Sequence, residues 1–176
     1  EFMADEKVER MKGIAKETWS RTLSDRIGIS YEEARRKERE PEAALPVTVK
    51  LLDDREDHIV IREGHDLMPP ENKWGFSMPV PEHKFNLGEV YNLAIGRGTL
   101  TEEDRYKIND HIVQTIVMLE ALPFPKHLKR VPEYAGGHHE KMDGGGYPRG
   151  LKKEDMSLPA RIMAIADIFE ALTAAD

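Results

Sequence analysis

The sequence predicts an all-α fold interrupted by an irregular, proline-rich excursion. Apolar residues recur every three or four positions over several long segments, as they do on the buried side of amphipathic helices. The strict alternation that marks a half-buried strand is almost absent. Five prolines fall between Leu45 and Asn86, where no helical period is sustained and at most one short helix or hairpin is expected.

Two helices are predicted before the excursion. The first runs from Asp5 to about Ile27, on the apolar spacing of Val8, Met11, Ile14, Ala15, Trp19, Leu23 and Ile27. The second runs from Tyr31 to about Glu40, because Ser30 and Glu33 have the spacing of a capping box and Pro41 ends the segment. Its many charges predict a surface helix.

The helical pattern returns after Gly88. A short helix over residues 90–95 is expected, and either Thr99 or Thr101 caps the next helix. That helix, from Glu102 to Leu122, has the clearest apolar stripe in the chain and ends before a proline. The stripe consists of Ile108, Ile112, Ile116 and Leu119.

Two more helices are predicted, from about Lys126 to Gly136 and from Pro159 to the end of the sequence. Between them lies the pair His138-His139. Adjacent histidines in a helix project about 100° apart, so each would serve a different ion, and two metals are favoured over one. The alternative is that one histidine is a buried, hydrogen-bonded group and the other is exposed.

Composition limits the class of protein. A chain of 176 residues with 39% hydrophobic content can form one core, and one domain is the default expectation. The chain has no cysteine, so any metal must be held by imidazole and carboxylate groups. There is neither an apolar run near the roughly 20 residues that span a bilayer nor a signal-peptide pattern. We therefore expect a cytoplasmic protein without a membrane segment.

Charge is distributed unevenly along the chain. The formal net charge of -7 argues against a DNA-binding protein, because phosphate backbones require a basic surface. Between Lys126 and Lys153, however, seven basic residues outnumber three acidic ones. This stretch is either a solvated charged surface or a site for a small phosphate-bearing ligand.

Two further residues are candidate metal ligands. His111 lies about 60° from Ile108 on the predicted helix and should face inward, as either a core histidine or a ligand. Asp167 lies in the helical segment Ile162–Phe169, which is apolar on nearly every side. An unpaired carboxylate there would cost several kcal/mol, and Arg161 lies too far round the helix to pair with it. A metal ion or cations from elsewhere in the fold must compensate the charge.

The loop Asp143–Gly150 contains four glycines and can adopt positive φ angles repeatedly, which lets a ligand approach the backbone closely. Tyr147 supplies a flat ring in this loop. The ring either stacks on a nucleotide base or caps a tight turn at the surface, and the sequence favours neither.

The run His138-His139-Glu140-Lys141-Met142-Asp143-Gly144-Gly145-Gly146-Tyr147-Pro148 resembles the HHExxDGxGYP signature of the HD-GYP family. Members of this family are HD-domain metal phosphohydrolases that hydrolyse cyclic dinucleotides. The resemblance implies an HD-domain-like helical bundle and covers residues 88–176, which would hold the second half of the metal site. Residues 1–87 then form an insertion-like segment that would lie over or beside the active site.

The resemblance also assigns roles to individual residues. It implies metal ligation by His111, His138, His139 and Asp167, catalytic roles for Asp143 and Lys141, and substrate binding by Gly146, Tyr147, Pro148 and Arg149. The implied cofactor is a divalent metal in a bi- or trinuclear site, with iron or manganese favoured. The implied partners are a cyclic dinucleotide, a cyclic-dinucleotide synthase domain at the Gly-Tyr-Pro loop, and the remainder of the HD domain upstream.

The family pattern also includes an upstream His-Asp doublet followed by a lysine. His65-Asp66 is the one such pair here, but no apolar helix precedes it. We therefore expect the missing half upstream of this chain, and we expect the chain alone to be inactive. The four other histidines, His58, His65, His83 and His127, are expected at the surface.

The resemblance implies a phosphodiesterase that uses a metal-activated water. The favoured substrate is cyclic di-GMP, and cyclic GMP-AMP is the second candidate. Two alternatives remain. One is a degenerate family member that kept the loop for protein contacts and lost catalysis. The other is a domain that senses a nucleotide without hydrolysing it.

Overall fold

The computed structural model describes residues 3–67 and 71–174, without the side chain of His65. The fold is mainly helical, as predicted. Within the described residues the α-helices are α1 (Asp5–Ile14), α2 (Tyr31–Lys37), α3 (Glu89–Leu93), α4 (Glu102–Glu120), α5 (Val131–Gly136) and α6 (Leu158–Thr173). No helix in this part of the chain is both long and apolar enough to cross a membrane.

The chain forms two compact units. One contains the described residues of 1–67 and 81–105, and the other contains those of 68–80 and 106–176. The unit boundaries follow residues 67, 80 and 105, and the division between residues 87 and 88 stays a prediction. All of the candidate site residues named above belong to the second unit.

The first unit contains two small antiparallel sheets. Strand β1 (Thr18–Arg21) pairs with β2 (Val47–Lys50), and β3 (Ile59–Val60) pairs with β4 (Phe85–Asn86). The excursion therefore holds more strand than the expected single helix or hairpin. Strands of two to four residues are too short to show a sequence period, and their partners lie far away in the chain.

The first predicted helix is wrong in its second half. Helix α1 ends at Ile14 and the chain continues into β1, where Trp19 pairs with Val49. Thr18 and Trp19 are β-branched and aromatic residues that favour strands, and the pairing with β2 overrides the helical spacing. Trp19 is 50% exposed and both Leu23 and Ile27 are 70% exposed, so these positions do not form a buried stripe in the described chain.

Helix α2 begins as predicted, since the Ser30 side chain accepts a hydrogen bond from the Glu33 amide. It ends at Lys37, earlier than expected. The surface prediction is wrong for Lys37, which is only 7% exposed. Its ammonium lies 3.3 Å from a carboxylate oxygen of both Asp25 and Asp57, so the buried charge is compensated.

Helix α4 carries the core of the second unit. Thr101 is its cap, because the Asp104 amide donates to the Thr101 hydroxyl at 3.1 Å. Ile112 and Ile116 are fully buried and pack with Phe76 and Val113. The predicted stripe is therefore confirmed at its centre. Its first member, Ile108, is 53% exposed and does not belong to the core.

The two segments that follow bring the remaining site residues toward α4. The predicted helix from Lys126 to Gly136 is a short 3-10 helix, Lys126–Leu128, followed by α5. A Cβ atom on Gly136 would lie 2.7 Å from Ile116 Cγ1, so glycine allows α5 to approach α4 closely. Helix α6 begins at Leu158 with a proline in its first turn, as predicted, and packs against α5.

Candidate metal centre

Three imidazoles meet in the second unit. His111 lies on α4, and His138 and His139 lie in the turn that follows α5. One ring nitrogen from each histidine lies within 4.8 Å of the other two. The Nε2 atoms of His111 and His139 are 3.0 Å apart. Residues 27 or more positions apart in the chain are thus brought to the distances that a shared ion requires.

The expected helical geometry of the histidine pair is wrong. Helix α5 ends at Gly136, and His138 and His139 follow in the turn with ring centroids 4.1 Å apart. Because the rings converge, both can face one ion. The helical argument for two metals therefore does not hold, and the number of ions depends on ligands beyond this trio.

Local hydrogen bonds orient two of the rings. The Nδ1 atoms of His111 and His138 each lie 2.6 Å from a backbone carbonyl oxygen three residues earlier, on Ile108 and Ala135. A carbonyl oxygen can only accept, so each Nδ1 must carry the proton and donate. Nε2 is thereby the nitrogen of each ring that is left for a metal, as in many metal sites.

The expectation that His111 faces inward is wrong in the described chain, because its side chain is exposed. Its position on α4 still places it toward the histidine turn. The Thr115 hydroxyl donates to the His111 backbone carbonyl at 2.8 Å. His111 is therefore a surface residue of this chain and is available as a ligand.

His139 is half-buried beside Asp167 and Tyr147. Burial lowers its pKa, His138 and His111 lower it further, and the negative charge of Asp167 opposes them without reversing the direction. The Asp167 carboxylate lies 3.5 Å from His139 Nδ1. The Tyr147 ring stacks on the imidazole at a centroid distance of 4.8 Å. A lowered pKa favours the neutral imidazole, which is the form that binds metals.

The prediction that Asp167 is buried is wrong. Its side chain is 41% exposed, so desolvation does not force a cation onto it in the described chain. Its approach to His139 is what places it at the site. The apolar residues of α6 that the sequence placed around it are exposed as well, namely Ile162, Met163, Ile165, Ile168, Phe169 and Leu172.

The glycine-rich loop folds as the sequence predicts at two positions. Gly144 and Gly150 have φ angles of 84° and 68°, which glycine adopts without strain. Gly146 is needed for another reason, because a Cβ atom there would collide with the backbone of Glu140 and Lys141. The loop is consequently held close to the histidine turn.

Glu140 is a structural residue that the sequence did not distinguish. Its side chain is buried and accepts hydrogen bonds from the amides of Arg149 and Leu151 at 2.7 Å and 2.8 Å. It therefore joins the histidine turn to the far end of the loop. Only the fold reveals its role, because the two amides lie 9 and 11 residues later in the chain.

The other predicted site residues occupy the loop and its edges. Lys141 is exposed, and the exposed Asp143 accepts a hydrogen bond from the Gly145 amide at 2.8 Å. Pro148 is fully buried. The Arg149 side chain donates from Nε to the backbone carbonyl of Trp74 at 2.9 Å.

The remaining histidines lie outside the trio. His127 is exposed as predicted, whereas His58 and His83 are half-buried. His58 Nδ1 accepts a hydrogen bond from the Arg55 amide and so helps to cap a 3-10 helix, which explains its burial. The His65 side chain lies outside the described residues. The Lys84 ammonium pairs with the neighbouring Asp66 at 2.8 Å.

The donor set fits a divalent transition metal. Imidazole nitrogens about 3 Å apart match neighbouring ligands of an ion that forms metal–nitrogen bonds of about 2.1 Å. Three imidazoles beside a carboxylate, without sulfur, suit iron, manganese, zinc or nickel. The histidines could therefore hold one ion.

Comparison with known proteins adds a family match. A family model described as HD domain matches residues 19–176. The match covers most of the chain and includes all of the candidate site residues.

Several curated proteins are similar over 45 to 165 residues. The 3'3'-cGAMP-specific phosphodiesterase 1 of Vibrio cholerae is 62% identical over 45 residues, which is 26% of this chain and 10% of that protein. A probable cyclic di-GMP phosphodiesterase of the same organism is 62% identical over 86 residues, 46% of this chain and 20% of that protein. The cyclic di-GMP phosphodiesterase response regulator RpfG of Xanthomonas campestris is 28% identical over 165 residues, 88% of this chain and 43% of that protein. The chain thus spans less than half the length of each of these relatives.

Proposed function

Because this chain belongs to the HD-domain family, and within it to the HD-GYP branch, we propose that it is part of a metal-dependent cyclic-dinucleotide phosphodiesterase. The observation that carries this proposal is the convergence of His111, His138 and His139, each offering a ring nitrogen within 4.8 Å of the others. Three converging imidazole nitrogens are a donor set that suits a transition-metal ion. The relatives named as phosphodiesterases support the reaction class.

His111, His138 and His139 would hold the ion, and Asp167 beside His139 would be a further ligand. A divalent cation, when bound, supplies Lewis acidity that activates water and stabilises charge on a phosphodiester.

The nucleotide would bind beside the loop formed by Gly146, Tyr147, Pro148 and Arg149. Tyr147 offers its ring beside His139, and burial together with the charge of Asp167 raises its pKa, so it stays a neutral phenol. The exposed Lys141 and Asp143 stand at the edge of the loop, where a cation would attract the phosphate and a carboxylate would move a proton.

The described trio is a partial ligand set for the bi- or trinuclear site that we propose, with iron or manganese as the metal. Four candidate ligands cannot fill the coordination spheres of two or three ions. We therefore place the missing ligands in the remainder of the HD domain, upstream of this chain. Residues 1–87 would be an insertion between the two halves.

The substrate would be cyclic di-GMP, with cyclic GMP-AMP as the second choice. Relatives named for each substrate reach 62% identity, so identity alone does not choose between them. We place the reaction in the cytoplasm, and we propose the Gly-Tyr-Pro loop as a contact for a cyclic-dinucleotide synthase domain.

The test uses the complete protein that contains this chain, loaded with Mn²⁺ or Fe²⁺. Metal content is measured by elemental analysis, and products from both cyclic dinucleotides are separated by chromatography. We expect linear or mononucleotide products, and loss of both metal and product in His139→Ala. The matched control is His127→Ala, an exposed histidine outside the trio, which should change neither.

Three results would contradict the proposal. Wild-type protein without metal or product would indicate a degenerate module that acts through protein contacts. Tight nucleotide binding without product would indicate a sensor. Unaltered metal content and rate in His139→Ala would assign His139 to structure.

A further inference from the structure

We propose that residues 72–77, here called the aromatic clamp, fix the Gly-Tyr-Pro loop through Arg149 and thereby position His139. Arg149 is then a positioning residue. Its guanidinium contacts Trp74 and Phe76 and does not bind the phosphate of a substrate. This inference rests on the proposed function, because it assumes that His139 is a metal ligand. Every contact that supports it lies within the second unit.

The clamp is a closed turn with a fixed shape. The Asn72 amide group donates to the Phe76 carbonyl at 2.8 Å and its oxygen accepts from the Phe76 amide at 3.0 Å. The Trp74 and Phe76 rings stack with their planes 7° apart and their centroids at 5.7 Å. Phe76 is 7% exposed and belongs to the core around Ile112 and Ile116. The clamp is therefore anchored to α4.

The clamp holds the loop on both sides of the Pro148–Arg149 bond. The Ser77 amide donates to the Pro148 carbonyl at 2.7 Å. Arg149 Nε donates to the Trp74 carbonyl at 2.9 Å, and the guanidinium lies 5.7 Å from the centroid of the Phe76 ring. A planar guanidinium makes the hydrogen bond and the ring contact in one fixed geometry, which a lysine ammonium does not reproduce.

Glu120 links the clamp, the loop and α4. One of its carboxylate oxygens accepts a hydrogen bond from the Trp74 indole N–H at 2.7 Å. The other lies 3.8 Å from the Arg149 guanidinium. His111 is on the same helix as Glu120, so the clamp ties the loop to the helix that supplies a ligand. The glutamate is 39% exposed, and its ion pair should contribute little by itself.

The loop in turn touches His139 directly. The Tyr147 amide donates to the His139 carbonyl at 3.2 Å, and the Tyr147 ring stacks on the imidazole. Tyr147 immediately precedes the two residues that the clamp holds. Release of Arg149 would therefore free Tyr147 and widen the range of positions open to the His139 ring. Loss of such an outer contact typically weakens metal binding by about 10- to 100-fold.

The experiment compares Arg149→Ala, Arg149→Lys and Glu120→Gln in the complete protein, with the exposed Lys153→Ala as a control cation near the loop. Amide hydrogen exchange is measured without metal, and Mn²⁺ affinity is measured by electron paramagnetic resonance. In Arg149→Ala we expect faster exchange at the Tyr147 and Ser77 amides and about 10-fold weaker Mn²⁺ binding.

The other variants separate positioning from charge. Arg149→Lys should behave like Arg149→Ala, because lysine keeps the positive charge and lacks the planar guanidinium. Glu120→Gln should change Mn²⁺ affinity by less than about threefold. Lys153→Ala should leave both measurements at the wild-type values. In turnover assays, Arg149→Ala should lower kcat with little change in KM.

Clear outcomes would overturn the inference. Unchanged exchange at Tyr147 in Arg149→Ala would show that the clamp does not hold the loop. Faster exchange with unaltered Mn²⁺ affinity would break the link to His139. A raised KM that Arg149→Lys restores would make Arg149 a substrate contact. If wild-type protein binds no metal, the proposed function fails, while the exchange data still decide whether the clamp fixes the loop.

Discussion

At the scale of single residues, the site depends on short local hydrogen bonds that set the state of each side chain. His111 and His138 each donate an Nδ1–H hydrogen bond to the backbone carbonyl three residues earlier. This bond occupies Nδ1 and orients the ring, so that Nε2 is the nitrogen left for an ion. The lowered pKa of His139 favours the neutral form of the third ring. The three rings are therefore oriented toward a shared ion.

Glu140 provides a test of the loop at this scale. In Glu140→Gln one carboxylate oxygen becomes an NH₂ group. This group then faces a backbone N–H of Arg149 or Leu151, so two donors meet and neither has an acceptor. We expect a loss of about 1–3 kcal/mol in the free energy of unfolding, because a buried donor loses its partner. Urea unfolding of the complete protein measures the change. The control is Glu154→Gln, an exposed glutamate beyond the loop. Equal stability of the two variants would show that Glu140 does not hold the loop.

Candidate site residues were identifiable from the sequence, but their environments were not. The histidine pair and the glycine run indicated a ligand site because no packing role requires that combination. The burial expected for His111 and Asp167 was wrong, since it relied on apolar neighbours that are themselves exposed, such as Ile108 and Ile165. Periodicity shows which residues share a face and does not show what covers that face.

At the scale of elements, caps were more predictable than lengths. Ser30 and Thr101 cap α2 and α4 through side-chain bonds that a few adjacent residues determine. The end of α1 was not predictable in the same way, because β1 forms only when its distant partner β2 is in place. Capping residues close in sequence therefore determine where α2 and α4 begin. The pairing of β1 with β2 determines where α1 ends.

A buried ion network joins α2 to the neighbouring strand and turn, and it predicts a pH dependence. Burial alone would raise the pKa of Asp25, but hydrogen bonds from Arg21 and the charges of Lys37 and Arg55 lower it well below its ordinary value of 3.8. A lowered folded-state pKa gives stability that is fully present above pH 3.8 and is lost as the pH falls through the folded-state value.

We therefore expect Asp25→Asn to remove on the order of 1 kcal/mol from the unfolding free energy near pH 5 and a smaller amount near pH 2.5, where the unfolded carboxyl is already protonated. Denaturant unfolding at both pH values measures this difference. Glu32→Gln on the exposed side of α2 serves as the control. A loss that is the same at both pH values would show that the Asp25 charge does not stabilise the fold.

Helix α6 shows an apolar surface that the described chain leaves uncovered. Phe169 is 66% exposed and Leu172 is 80% exposed. We propose that the remainder of the HD domain covers this helix. Phe169→Asp should then lower the stability of the complete protein by about 2–4 kcal/mol and change that of the isolated chain by less than about 0.5 kcal/mol. Thermal unfolding of both forms tests this, with Glu170→Ala as control. Equal effects in the two forms would contradict the covering.

At the scale of the whole molecule, the class of fold and the family were predictable, and the division into units was not. The mainly helical fold and the family match agree with the sequence-based prediction. The two units exchange segments, since residues 71–80 join the second unit and 81–105 return to the first. Composition and periodicity contain no signal for such an exchange, because it depends on contacts between distant segments.

The isolated chain should hydrolyse cyclic di-GMP weakly or not at all. Its four candidate ligands cannot complete a bi- or trinuclear site, so the reaction should require the complete protein. Product formation by both forms at equal concentration and Mn²⁺ loading measures this. Turnover by the chain alone at the rate of the complete protein would refute the proposed division of the site.

The most direct test of the shared ion is anomalous diffraction from crystals of the complete protein grown with Mn²⁺ or Fe²⁺. The structure predicts an anomalous peak at about 2.0–2.3 Å from ring nitrogens of His111, His138 and His139. A fully loaded crystal with no peak among these three imidazoles, or with rings turned away from the bound metal, would contradict the account.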